Sequence, residues 1–306
     1  MKEIALRTEN LTKTYGKFTA LSNCNMTVKR GDIYGLIGKN GAGKTTIMKT
    51  ISGLTNPSSG TYQFFENDKD NNETTKRRIG CLIENPAFFG NLTGYQNLVY
   101  YCKLKGVSDL KKIDESLELV DLVDAKKKKF KKYSLGMKQR LGIALAILDD
   151  PDFIILDEPI NGLDPIGISK LRDTFLRLNK EKNLTIMISS HILSELYAIA
   201  NRFMFIDHGS VIKEITKEQL DEECLRCSVV KVSNVEKALG LLENKSLITS
   251  YKVTEGNKIR IYDEDLNRPL IIRELVNGNI DVDAVYEAGV NLEDYFKELV
   301  KEGEND

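Results

Sequence analysis

At 306 residues, 41% of them hydrophobic and 29% charged, the chain is globular rather than disordered or collagen-like, and it can bury a core without covalent staples. That length suits one large domain or two ordinary ones. Forty-four basic and 45 acidic residues leave a net charge of −1, which removes any whole-chain case for nucleic-acid binding. In chain order, residues 4–28 alternate as strands around a turn at Tyr15-Gly16-Lys17, and Ile33 to Ile37 is a short buried strand that stops at a glycine cluster. Thr45 to Ser52 reads as a helix. Residues 61–83 read as further strands around a polar turn from Asn67 to Glu73. A helical pattern runs from Asn97 to about Asp150, interrupted by the lysine-rich stretch Lys126 to Lys132. A buried strand at Phe153 to Leu156, a helix at Ser169 to Lys180 and a strand at Thr185 to Ser189 follow. A hairpin of Phe203–Ile206 with Gly209–Lys213 closes this part.

The pattern then starts again. Leu225 to Ser233 is strand-like, Val235 to Leu242 helical, and Ile248–Val253 with Lys258–Tyr262 form a hairpin around Glu255-Gly-Asn257. Pro269 to Val276 is helical, Val282 to Glu287 a strand and Leu292 to Val300 a last helix. Strand-helix-strand-strand-helix-strand is the ferredoxin-like order. Charge changes at the same place: from Thr216 onward the net is −8, against +7 for residues 1–215. Two stretches of opposite sign predict two domains, 1–215 and 216–306.

Five scattered cysteines, an odd number, argue against a disulfide framework. Cys224 and Cys227 have metal-ligand spacing, but no second pair or neighbouring histidine completes a site, so they read as ordinary thiols. The N-terminus lacks an apolar stretch of signal-peptide length, and no segment approaches the ~18 apolar residues of a membrane span. A cytosolic protein is expected.

Gly38-Lys-Asn-Gly-Ala-Gly-Lys44-Thr45 matches G-x-x-x-x-G-K-[ST] in full. Its glycines let backbone N–H groups turn inward around phosphates, and the following helix aims its positive end at them. Lys44 supplies a point charge for the β and γ phosphates, and Thr45 a hydroxyl for Mg²⁺. The strand Phe153 to Leu156 delivers Asp157 and Glu158 at its tip. Two acids after a strand are ordinarily a solvated turn. Behind a phosphate loop they suit Mg²⁺ holding by Asp157 and activation of the attacking water by Glu158.

Further along, Tyr133-Ser-Leu-Gly-Met-Lys-Gln-Arg140 places Ser134 23 residues before Asp157. Asn161-Gly-Leu-Asp164 follows the acids, and His191 lies just beyond the next strand. With Tyr15 upstream, this ordered set resembles the nucleotide-binding domain of ATP-binding-cassette (ABC) proteins over residues 1 to about 215. The resemblance implies an α/β fold with a phosphate-loop core, an antiparallel β subdomain and a helical subdomain, followed here by a small α+β domain. It implies ATP, Mg²⁺ and a head-to-tail dimer with a second copy of the chain. Tyr15 then stacks on adenine, and Gly38, Asn40, Gly41, Gly43, Lys44, Thr45 and Thr46 surround the phosphates. By the same resemblance Ser134 and Gly136 cap the γ-phosphate held by the other subunit, Asp164 lines the dimer seam and His191 contacts the γ-phosphate.

Two departures from the family pattern stand out. Leu135 replaces the first glycine of the usual Leu-Ser-Gly-Gly-Gln signature, and Glu84 stands where a glutamine is usual. In the family that glutamine reaches Mg²⁺ and the attacking water; a carboxylate is a harder oxygen donor, so Glu84 is a candidate metal ligand. Both departures are similar to the bacitracin- and lantibiotic-type exporter ATPases. That implies an energy-coupling subunit on the inner face of the membrane, held there by a separate permease. The alternatives are a soluble ABC ATPase acting on ribosomes or DNA, and an importer ATPase. A single phosphate loop disfavours the two-cassette translation type. Only about 90 residues, without sustained heptads, separate that loop from the signature, which disfavours the DNA-repair type. The Lys126–Lys132 run is a solvated face in its plainest reading, with anionic lipid headgroups or a nucleic-acid backbone as the other two. No nucleic-acid partner is expected. His208 matches no motif and reads as a surface residue.

Overall fold

The computed structural model describes residues 3–66, 73–84, 87–224, 227–263, 266–288 and 292–303. Contacts divide the chain into two compact units, 1–217 with 299–306, and Glu218–Glu298.

The first unit opens with the long strands β1 (Ile4–Tyr15) and β2 (Phe18–Lys29), then β3 (Ile33–Ile37), helix α1 (Lys44–Ile51) and β4 (Ser59–Phe64). Strands β1, β2 and β4 form a three-stranded antiparallel sheet with β1 in the centre. The sequence 61–83 therefore does not fold as one hairpin. After β4 comes the short helix α2 (Glu73–Arg77), and then β5 (Ile79–Leu82) enters a different sheet. Most of the polar turn expected at Asn67 to Glu73 lies outside the described residues.

Three helices follow: α3 (Gly94–Lys105), α4 (Lys111–Leu119) and α5 (Leu135–Ile147), with single 3₁₀ turns at Val123–Ala125 and Phe130–Lys132. Helix α3 begins three residues before its apolar pattern because Thr93 and Gln96 form a reciprocal capping box. The core then resumes with β6 (Phe153–Leu156), α6 (Pro165–Lys182), β7 (Thr185–Ser190), α7 (Leu193–Tyr197), β8 (Arg202–Asp207) and β9 (Ser210–Thr216). Helix α6 also starts earlier than its periodicity indicates. Asp164 accepts the Gly167 N–H at 3.2 Å and Pro165 occupies the first turn.

The central sheet has the order β5-β6-β7-β3-β8-β9, parallel except for β9. Every residue of β3, β6 and β7 is buried, as expected of parallel strands covered on both faces. Their polar ends therefore converge along one edge of the sheet. Burial also explains the quiet cysteine in β2: it pushes the Cys24 thiol up to about 12, so no thiolate forms near neutrality.

The second unit holds α8 (Lys217–Cys224) from Glu218 on, β10 (Cys227–Val232), α9 (Val235–Asn244), β11 (Tyr251–Thr254), β12 (Lys258–Ile261), α10 (Arg268–Asn277), β13 (Val282–Ala288) and α11 (Leu292–Gly303) up to Glu298. From β10 to β13 the order is strand-helix-strand-strand-helix-strand, and the four strands form an antiparallel sheet in the order β11-β12-β10-β13. Its core gathers Val230, Val232, Ala238, Leu242, Ile259, Ile261, Ile271 and Leu275. Helices α7 and α8, of five and eight residues, lie below the length at which periodicity identifies a helix.

Candidate functional site

The turn between β3 and α1 is shaped by its glycines. A Cβ on Gly38 would stand 2.4 Å from the Ile206 carbonyl oxygen, and Gly43 sits at φ 110°, a conformation that side chains rarely adopt. No side chain among the described residues caps the first N–H groups of α1, which follow this turn. Tyr15, Phe18, Ala20, Asn40, Gly41, Gly43, Lys44, Thr45, Thr46 and Glu158 together line a cavity of about 340 Å³ beside it. Tyr15 is half exposed and Phe18 more so, as flat surfaces left open at the mouth.

Lys44 is buried, and its ammonium donates to the carbonyls of Gly38 (2.6 Å) and Lys39 (3.1 Å). It also lies 3.2 Å from Glu158 Oε1. That oxygen is buried and makes no hydrogen bond among the described residues. The other oxygen, Oε2, is 2.9 Å from His191 Nδ1. Glu158 thus bridges the phosphate-loop lysine and His191. Its backbone is left-handed at φ 47°, uncommon for a residue with a Cβ.

Asp157 is 8% exposed. Thr45 Oγ1 donates to its Oδ2 at 2.8 Å, and Ser189 Oγ donates to its Oδ1 at 2.6 Å. One hydroxyl and one carboxylate oxygen side by side at the edge of a phosphate loop are hard donors. Mg²⁺ takes such a pair together with phosphate oxygens and water, rather than a cage of protein ligands. No group of three or more His, Cys, Asp or Glu side chains among the described residues is placed to hold a metal by itself.

Four sequence candidates lie outside this cluster. Ser134 caps α5, accepting the Met137 N–H at 3.3 Å, and Gly136 lies in the first turn of that helix. Asp164 caps α6. Glu84, at φ 61°, directs its carboxylate to Lys49 on α1 at 2.5 Å, not to Asp157 or Thr45. That hydrogen bond raises the Lys49 ammonium above its usual range.

Two residues at the site went unread in the sequence. Phe18 pairs with Tyr15 across the first turn, so the Tyr15-Gly16-Lys17-Phe18 turn itself carried the signal. Ser189 lies beside Asp157 because β6 and β7 pair in parallel with Leu156 against Ile188. Two serines ending an otherwise apolar buried strand were the available clue. A larger groove, about 610 Å³, lies in the second unit along Ile272, Val276 and residues 279–285, and holds none of the nucleotide motifs.

A phosphate loop, a helix start, a lysine and a carboxylate pair at the ends of parallel strands of one sheet define a nucleotide-binding cassette. Residues 21–161 match the ABC transporter family. The chain is 43% identical to the bacitracin transport ATP-binding protein BcrA of Enterococcus faecalis, over 98% of both chains. It is 46% identical to the lantibiotic transport ATP-binding protein SrtF of Streptococcus pyogenes, over 68% of this chain and 90% of that one. Among solved structures, it superposes on cbiO1 of Clostridium perfringens, part of the ABC transporter complex cbiONQ, with a TM-score of 0.65 and 27% identity. That match covers 72% of this chain and 92% of cbiO1. An ATP-binding cassette determined as a post-hydrolysis dimer with ADP and Pi matches with a TM-score of 0.62 and 27% identity, over 69% of this chain and 98% of that one. The chain belongs to the ABC transporter ATP-binding proteins. It is an ATP-hydrolysing subunit that drives transport, and no helix among its described residues is long and apolar enough to cross a membrane.

Proposed function

We propose that the chain powers export of a peptide antibiotic, lantibiotic or related drug through a separate membrane permease. It does so as a head-to-tail dimer held at the cytoplasmic face of the membrane. The observation that carries this reading is the extent of the likeness to the bacitracin transport protein, which spans 98% of both chains and so includes the second unit.

In the nucleotide cycle, Tyr15 and Phe18 offer ring faces to the adenine, and the backbone of Gly38 to Thr46 receives the phosphates. Lys44 is held by two carbonyls and Glu158. Arriving phosphates compete for that ammonium, so its hold on Glu158 loosens and Oε1 becomes available as a base toward the attacking water. His191 keeps the other oxygen in place through Nδ1. Thr45 and Asp157 would hold Mg²⁺, which when bound neutralises developing charge on the phosphates. Ser134, Gly136 and Asp164 serve the nucleotide of the second copy, in keeping with their position outside the first copy's pocket.

Glu84 joins this set only by leaving Lys49. An exposed ion pair is worth little, about 0–1 kcal/mol, so the exchange is cheap. We propose Mg²⁺ as the partner of Glu84 during turnover.

The test is to isolate the protein from membranes, identify the polytopic chain that accompanies it, and compare the bacitracin and lantibiotic sensitivity of cells with and without the protein. A shared complex and raised sensitivity on deletion are expected. Unchanged sensitivity with no polytopic partner would overturn the reading.

A further inference from the structure

We infer that Ser189 is a positioning residue of the ATPase site, fixing Asp157 and Glu158 relative to each other. The inference rests on the roles proposed above for those two acids. Parallel pairing of β6 with β7 sets Ile188 against Leu156. The next residues, Ser189 and Asp157, therefore leave the ladder side by side. Ser189 is fully buried.

A serine hydroxyl has one proton to give and lone pairs to receive. Here the Glu158 N–H donates to Ser189 Oγ at 2.9 Å, and the hydroxyl proton goes to Asp157 Oδ1 at 2.6 Å. Both ends of the link have consequences. At Asp157, one carboxylate oxygen is held by Ser189, so the other is turned toward Thr45, which reaches it at 2.8 Å. At Glu158, the bond anchors the amide of a residue whose left-handed backbone needs outside support. The chain of contacts from Thr45 through Asp157 and Ser189 to the Glu158 backbone ties the metal-holding oxygens to the base. Alanine, which lacks the hydroxyl, leaves a buried N–H and a buried carboxylate oxygen each short of a partner.

The experiment compares Ser189→Ala, Ser189→Cys and Ser189→Thr with Glu158→Gln and the unaltered full-length chain. It reads kcat and KM for ATP, the Mg²⁺ concentration giving half-maximal binding of the non-hydrolysable imido analogue of ATP, and the melting temperature. Ser189→Ala should lower kcat about tenfold with KM within about twofold, and raise the half-saturating Mg²⁺ concentration about threefold. Ser189→Thr keeps the hydroxyl and should recover kcat to within about threefold. Cysteine keeps the volume but hydrogen-bonds weakly, so it substitutes for alanine if the smaller side chain prevents folding. Alanine and cysteine variants with unchanged kcat and Mg²⁺ dependence, beside an inactive Glu158→Gln, would overturn the role of Ser189 alone. So would losses that follow only the melting temperature and that threonine does not restore. Full hydrolysis by Glu158→Gln would remove the reading of Glu158, and this inference with it.

Discussion

The two units of the chain use their sheets differently. In the first, β3, β6 and β7 are buried along their whole length, and polar chemistry occurs where they end. In the second, β11 and β12 are partly exposed, and the sheet carries charge in surface pairs such as Lys231–Asp283 and Lys252–Glu222. Both units are rich in carboxylates, yet among the described residues only the first brings two neighbouring acids, Glu158 to a lysine and Asp157 to a hydroxyl, beside a tight glycine turn. A site comes from backbone that cannot move aside, not from the number of acids. The larger groove of the second unit, with Asp281 and Asp283 on its wall, makes the same point: volume and charge are present without a cradle.

This contrast can be tested at its sharpest point first. Glu158→Gln keeps shape and removes the base, and turnover should fall about 10²–10⁴-fold while ATP binding persists. The variant should accumulate as an ATP-bound dimer by size-exclusion chromatography. Near-full hydrolysis would place the base elsewhere.

Leu275→Ala, in the fully buried core of the second unit, should cost about 2–5 kcal/mol there. The expected signature is an earlier melting transition with an unchanged ATP affinity. A tenfold loss of ATP affinity would mean that the first unit depends on the second for its fold.

A smaller effect is expected at the edge of the site. Glu84→Gln removes the charge that binds Lys49, and should shift the Mg²⁺ concentration for half-maximal ATPase about threefold, more at low salt than at high salt. If Mg²⁺ dependence, basal turnover and coupled transport all stay the same, Glu84 has no part in the chemistry. The smallest change is expected from ending the chain after Lys217: ATP affinity should stay within about twofold while dimer stability or transport coupling changes. A truncated chain that binds no ATP would mean that the nucleotide site needs residues beyond Lys217, the 299–306 segment that groups with the first unit included.

The phosphate loop and the acids after β6 were legible in the sequence because each is fixed by local spacing, whereas His191 was legible only through the family resemblance. Glycines close the turn, a buried strand sets the acids, and nothing distant is needed. Glu84 was legible as a departure from a pattern, but its partner was not: Lys49 is 35 residues away, and only the packing of α1 brings the two together. Ser189 was hidden for a similar reason, since its meaning depends on strand register and not on its neighbours in sequence. Helix starts at Gly94 and Pro165 were missed because capping by Thr93 and Asp164 extends the helices beyond their apolar stripes.

Leu135, the side chain standing where the family usually has glycine, reaches across to the turn before α6. Its Cδ2 would lie 2.9 Å from a Cβ on Gly162, which itself sits at φ 73°. Left-handed backbone already favours glycine, with asparagine the usual alternative. The close approach adds little to that preference, because the atom in the way is the tip of a flexible, half-exposed leucine side chain that can turn aside. Backbone conformation, not the leucine, therefore keeps position 162 a glycine. A cassette with glycine in place of Leu135 would face the same restriction at 162, so the two positions are free to change independently.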